Sequence, residues 1–159
     1  PGAVNFDPAV DVVSNDFASR LVWFDTLVSN VDRTARNTNM LMYQRQPWLI
    51  DHGASLTFHH AWSGQVADPG KPFAPSAEHV LLAQATTLAE VDAELAARLT
   101  PEVLAAVVAD VPDCFLAQAA GEHEALRDVH AHRLAYVNYF VARLQDRGRW
   151  LQGVIDARA

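Results

Sequence analysis

The sequence predicts a mainly α-helical domain with one small β-hairpin. Three observations carry that prediction. Apolar residues recur at helical spacing near the start of the chain and across most of its second half. Two short strand-like runs, Met40-Leu41-Met42-Tyr43 and Trp48-Leu49-Ile50, are separated by a connection of hairpin length, residues 44–47. Half of the 159 residues are hydrophobic and 19% are charged, a balance that supports a packed core, so residues 1–159 are read as one domain.

Asp7-Pro8 has the form of an N-cap followed by proline at the first helical position. Residues 16–29 place Phe17, Leu21, Phe24 and Val28 on one face, which predicts the first long helix. Residues 30–39 are polar and aperiodic and predict a loop ahead of the hairpin. Asp51-His52-Gly53 ends the second strand. Residues 63–76, with Gly64, Pro69, Gly70, Pro72 and Pro75, predict a long surface loop. Thr87 and Glu90 form a capping-box pattern for a helix through Arg98. Thr100-Pro101 starts another helix that runs to about Asp110, where Pro112 stops it. From Glu122 the longest amphipathic run carries Leu126, Val129, Arg133, Val137, Phe140 and Leu144 along one stripe. Gly148 is expected to end it, with a last helix from Arg149.

Composition narrows the function. A net charge of −7 with scattered arginines argues against binding along a nucleic-acid backbone. The same charge is compatible with a nucleotide when a divalent cation bridges the two. There is no run of about 18 apolar residues and no basic-then-apolar leader pattern. Cys114 is the single cysteine, which excludes an internal disulfide and a cysteine-built zinc site. The expected localisation is cytoplasmic. Lys71 is the single lysine.

The chemistry is concentrated between Asn30 and Gly53. Asp32 precedes Asn37 by five residues, the interval between aspartate and asparagine in a protein-kinase catalytic loop. The aspartate must reach the attacking hydroxyl, and the asparagine must turn back to hold Mg²⁺ on the phosphates. A short loop keeps both on one side of a cleft. Asp51-His52-Gly53 stands where kinases carry D-F-G, and Asp51 is the candidate second metal ligand. Hard Mg²⁺ takes few protein oxygens, so Asn37 and Asp51 suffice. Asn39 is a second candidate for contacting nucleotide or metal.

N-V-D-R-T-A-R-N-T-N at residues 30–39, W-L-I-D-H-G-A-S-L at residues 48–56 and F-H-H at residues 58–60 resemble the HipA-like kinase family. D-R-x-x-x-N followed by I-D-x-G is more distantly similar to phosphoinositide 3-/4-kinases. The resemblance covers the whole chain, and its specific motifs lie within about the first 60 residues. It implies a kinase C-lobe in which Asp32 is the catalytic base or substrate-orienting carboxylate, with Asn37 and Asp51 on Mg²⁺. It implies ATP as the phosphate donor and a hydroxyl, expected on a protein serine or threonine, as the acceptor. His52 in place of phenylalanine, Val31 before the aspartate and the lack of an A-P-E signature depart from protein kinases. They place activation-loop control in question. No glycine-rich G-x-G-x-x-G loop occurs, and Lys71 follows both motifs, so a β-rich N-lobe bearing the ATP-gripping lysine is expected outside these residues, in cis or in trans.

Plainer readings compete at each position. Asp32, Asn37 and Asn39 are also ordinary turn residues. Gly53 suits a strand-ending turn at positive φ. Arg33 and Arg36 suit surface solvation or a salt bridge as well as phosphate or substrate contact. Trp23, Trp48, Trp62 and Trp150 suit core or rim packing, and Cys114 a buried small hydrophobe. Neighbouring His59 and His60 point apart, and His130 and His132 do not share a helix face. A non-catalytic pseudokinase or interaction module and, further off, a metal-dependent hydrolase using His52 or His59 are the alternatives to a kinase.

Overall fold

Six α-helices and a three-stranded antiparallel sheet make up the computed structural model, which describes residues 2–66, 68–119 and 126–159, with the side chains of residues 60, 61, 118 and 119 excepted. The mainly helical expectation holds. The sheet has one strand more than the predicted hairpin.

The first helix, α1 (Asn15–Leu27), starts where the Ser14 hydroxyl accepts the Phe17 N–H at 3.1 Å. It is buried on nearly every side, with Ala18, Leu21, Val22, Trp23 and Leu27 in the main core. Phe24, expected on the inner stripe, is exposed instead and meets the His52 ring edge-on. The Asp7-Pro8 helix start is not formed. Asp7 closes a single turn, accepting the Ala9 N–H on its side chain and the Asp11 N–H on its carbonyl.

Strands β2 (Met40–Tyr43) and β3 (Gln46–Leu49) form the hairpin, pairing Leu41 with Trp48 and Tyr43 with Gln46. The turn is only Gln44-Arg45, both at positive φ (50° and 63°), as the twist of a two-residue hairpin turn demands. The second strand therefore begins two residues earlier than its apolar run suggested. Strand β1 (Val4–Asn5) pairs antiparallel with the other side of β2. It was invisible in the sequence because two residues carry no alternation.

Helix α2 (Leu88–Arg98) lies on α1. Its expected capping box is absent: the Thr87 hydroxyl donates to Ser19 Oγ at 2.9 Å, a tertiary partner that outcompetes the local one. Helix α3 (Pro101–Ala109) is capped as expected, with Thr100 Oγ1 accepting the Val103 N–H at 3.3 Å. Pro112 does not leave the chain irregular. It leads into α4 (Asp113–Ala119), on which Cys114 is exposed rather than buried.

Helix α5 (Val129–Gln145) is capped by Asp128, and the predicted start at Glu122 lies outside the described residues. Its fully buried face is His132, Tyr136, Tyr139 and Arg143, with Leu144. That face is turned about one residue from the predicted aliphatic stripe and is largely polar or aromatic. The expected break is present but falls at Asp146 rather than at Gly148, which sits in the first turn of α6 (Arg147–Arg158). Trp150 of α6 meets Trp23 of α1 edge-to-face, with ring centroids 5.4 Å apart.

Arg143 explains why a charge occupies a core position. Its Nε donates to the Leu27 carbonyl at 2.8 Å and its Nη2 to the Thr26 carbonyl at 2.7 Å. These carbonyls close the C-terminus of α1, whose own last turn has no basic residue; the Thr26 carbonyl also accepts the Ser29 N–H at 3.3 Å. Nη1 reaches the Pro69 carbonyl at 2.6 Å, and the guanidinium lies over Trp150. The end of α1, from which the motif loop departs, is thus fastened by α5.

A second, smaller core gathers Trp62, Val108, Leu116, Leu126 and Tyr136. The His59 Nδ1 and the Tyr136 hydroxyl are hydrogen-bonded there, and His132 stacks on Tyr136 at 5.2 Å. This fastens the 3-10 turn Thr57–Ala61, just past the Asp51-His52-Gly53 motif, onto α5.

Candidate functional site

Chain direction brings the two sequence motifs together immediately after α1. Ser29 turns the chain in the left-handed region (φ 55°). Val31 then donates to the Ala54 carbonyl at 3.3 Å, while Leu56 donates back to the Val28 carbonyl at 2.7 Å. The loop carrying Asp32 therefore runs beside the segment that follows Asp51.

Within the loop, Asn37 Nδ2 donates to Asp32 Oδ2 at 2.9 Å. Asn39 Nδ2 donates to the Asp32 carbonyl at 2.8 Å, to Asp32 Oδ2 at 3.2 Å and to the Asp51 carbonyl at 3.4 Å. One buried amide thus spans both motifs. The four predicted site residues, Asp32, Asn37, Asn39 and Asp51, are brought to one place. The Asp32 carboxylate accepts from the side-chain amides of Asn37 and Asn39.

Asp51, not Gly53, takes the positive φ (48°) at the end of the hairpin, a correction to the expected glycine turn. Asp51 Oδ1 accepts the Gly53 N–H at 3.3 Å, a short side-chain turn that tolerates this conformation. Its exposed carboxylate keeps Oδ2 outside that turn.

Beneath the loop lies a network that sequence reading missed. Arg33 makes a salt bridge, one of the two roles expected of it, but in the interior: it is 1% exposed and ion-paired to equally buried Asp25 of α1 at 2.5 Å. Its Nη1 donates to the Asn39 carbonyl at 2.6 Å. Its Nη2 contacts His52 Nε2 at 3.1 Å. Asp25 also accepts from Asn30 Nδ2 at 3.0 Å and pairs with His79 Nε2 at 3.0 Å. The His79 Nδ1 accepts the Leu81 N–H, which places its proton on Nε2, toward Asp25. Burial pushes the Asp25 carboxyl up. The bonds from His79, Arg33 and Asn30 and the Arg33 charge together outweigh it and hold the carboxyl below its ordinary range. The only sequence signal was that Asp25 and Asn30 repeat the five-residue interval of Asp32 and Asn37. His79 carried none.

An open cleft of about 450 Å³ adjoins the loop, lined by Asn5, Asp7, Arg36, Asn37, Asn39 and Ile50 among others. Asp32 and Asp51 are not among its lining residues, and the oxygen donors of the motif residues suit a hard cation. Asn37 spends its Nδ2 on Asp32, which leaves its Oδ1 available, and the Asp51 carboxylate supplies a second oxygen donor. Oxygen donors with few carboxylates fit Mg²⁺ held jointly with phosphate. Among the described residues no three His, Cys, Asp or Glu side chains are grouped to hold a metal. The histidine-based hydrolase alternative finds no ligand cluster there: His52 contacts Arg33, and His59 bonds Tyr136. The side chain of His60 lies outside the described residues.

Trp23, Trp62 and Trp150 are core, whereas Trp48 is 57% exposed on the outer hairpin face, with Tyr43 and Ile50 exposed beside it. Among the described residues no helix is long and apolar enough to cross a membrane. No family model, curated protein or solved structure matches this chain.

Proposed function

We propose that the chain is the catalytic lobe of an atypical, HipA-like kinase that transfers the γ-phosphate of ATP to a hydroxyl, with a protein serine or threonine as acceptor. The observation that carries this reading is the Asn39 side-chain amide, which touches both Asp32 and Asp51 and so joins the two motifs into one site. A turn-forming role for these residues requires no such convergence.

In this reading Asp32 orients the acceptor hydroxyl and takes its proton. The Asn37 and Asn39 amides hold the Asp32 carboxylate in one orientation, which lowers the cost of aligning it. Asn37 Oδ1 and the Asp51 carboxylate would hold Mg²⁺. Mg²⁺ held there would neutralise phosphate charge. The cleft beside Asn37 and Ile50 takes the nucleotide, and the Asn39 Oδ1 is an additional contact for it. Lys71 lies in the loop whose backbone Arg143 fastens. In this reading a phosphate-gripping lysine would have to come from a further lobe, in cis or in trans.

The experiment is phosphate transfer from Mg-ATP by a polypeptide that joins this chain to such a lobe, with Asp32→Asn as control. Transfer that disappears in the control supports the reading, and equal transfer by both removes Asp32 from it. The position of Lys71 favours one second reading, a pseudokinase or interaction module. Nucleotide binding without transfer, in the same assay, selects it.

A further inference from the structure

Arg33 occupies a place that neither solvation nor a simple surface ion pair explains. Its guanidinium is buried and donates in three directions at once. It meets Asp25 on α1, the Asn39 carbonyl at the far end of the Asp32 loop, and His52 in the turn of Asp51. A guanidinium has donors only, so His52 Nε2 must be the acceptor in that contact. The Asn39 carbonyl accepts a second bond, from the Ile50 N–H at 3.0 Å, on the strand end that delivers Asp51. Asp25 cannot shift in response, because Asn30 and His79 hold its two oxygens at 3.0 Å each.

We infer that Arg33 is a positioning residue that sets the separation between Asn37 and Asp51, acting on the Asp51 turn through His52 with Asp25 as its fixed anchor. The inference rests on the kinase reading for what the two residues hold. The geometry on which it acts is that of this chain alone. A planar fork is required, since one point charge cannot address α1, the loop and the turn together. Lysine keeps the charge at this position and loses the second and third directions. At position 52 only an acceptor is required, so His52→Gln preserves the contact and His52→Ala removes it. His52 is exposed, so these substitutions leave the buried ion pair intact.

The test is a titration with Mn²⁺ alone, followed by paramagnetic broadening of the Asn37 and Asp51 backbone amides in the folded chain. In the unsubstituted protein both resonances broaden over the same Mn²⁺ range. In Arg33→Lys and His52→Ala the two midpoints separate by tenfold or more, and in His52→Gln they coincide again. A role confined to stability moves the melting temperature and leaves the midpoints together. Coincident midpoints in His52→Ala overturn the inference while leaving the metal reading in place. If Arg33→Lys does not melt cooperatively, His52→Ala and His52→Gln decide alone. Mn²⁺ that broadens neither Asn37 nor Asp51 selectively in the unsubstituted protein overturns the metal reading and the inference with it.

Discussion

Asn37 and Asp32 are joined by a side-chain hydrogen bond of 2.9 Å, and Asp25 and Asn30 repeat the same arrangement at 3.0 Å in the buried layer beneath. The upper pair is open to a reactant. The lower pair is closed by Arg33 and His79 and supports the loop.

Asp32 and Asp51 have separable roles in the proposed reaction. Asp32→Asn is expected to lower phosphate transfer by about 100- to 10,000-fold, the usual contribution of a positioned acid or base, with nucleotide affinity nearly unchanged. Asp51→Ala is expected to abolish the Mg²⁺-dependent part of nucleotide binding. Titration of each variant with nucleotide, with and without Mg²⁺, checks both. Unchanged metal dependence in Asp51→Ala would remove that ligand.

Asp25→Ala is expected to cost about 3–5 kcal/mol, because it leaves the buried Arg33 charge without its partner. The ion pair also makes stability depend on acid. The folded carboxyl lies below its ordinary value of 3.8, so its contribution is complete above that pH. The contribution is lost as the pH falls through the folded value. Urea melts between pH 2 and 6 should show this loss, and Asp25→Asn should flatten it.

His132 is 0% exposed, and neither ring nitrogen makes a hydrogen bond. Burial, and then the nearby His59, lower its pKa; the Leu116 backbone offsets this in part without meeting hydrogen-bond geometry. Burial also pushes the neighbouring Tyr136 hydroxyl up to about 12. A lowered histidine gives full stability above the unfolded value of 6.5 and less as the pH falls toward and through the folded value. The second core should therefore loosen below pH 6.5, visible in the near-ultraviolet signal of Trp62. His132→Phe should remove that dependence and stabilise the chain by about 1–3 kcal/mol, the cost of buried unpaired polar atoms. An unchanged acid transition in the variant would contradict it.

Arg143→Met keeps most of the volume and deletes the bonds to Thr26, Leu27 and Pro69. The lost pairing of several buried carbonyls is expected to cost about 2–4 kcal/mol. Hydrogen exchange should rise first at Val28, Ser29 and Asn30, where α1 hands over to the loop. A uniform rise across α5 would instead place the damage in that helix.

Local signals made part of this protein legible. The five-residue interval from Asp32 to Asn37, the hairpin and Asp51-His52-Gly53 are all set by residues close in sequence. Turn chemistry and strand alternation act over just such distances. Helices α1 and α5 were announced by apolar periodicity and α2 and α3 by their capping patterns, although a tertiary partner can take the cap itself, as Ser19 did for Thr87.

Only the tertiary structure decided what lies under the site. His79 reaches Asp25 across 54 residues, and Arg143 reaches the end of α1 across 116. Periodicity assigns apolar residues to the interior and charges to solvent. It therefore turned α5 by about one residue and left Arg33 outside. A buried charge depends on partners that no local pattern encodes. The order of motifs is a property of the chain, and the network that holds them in register is a property of the fold.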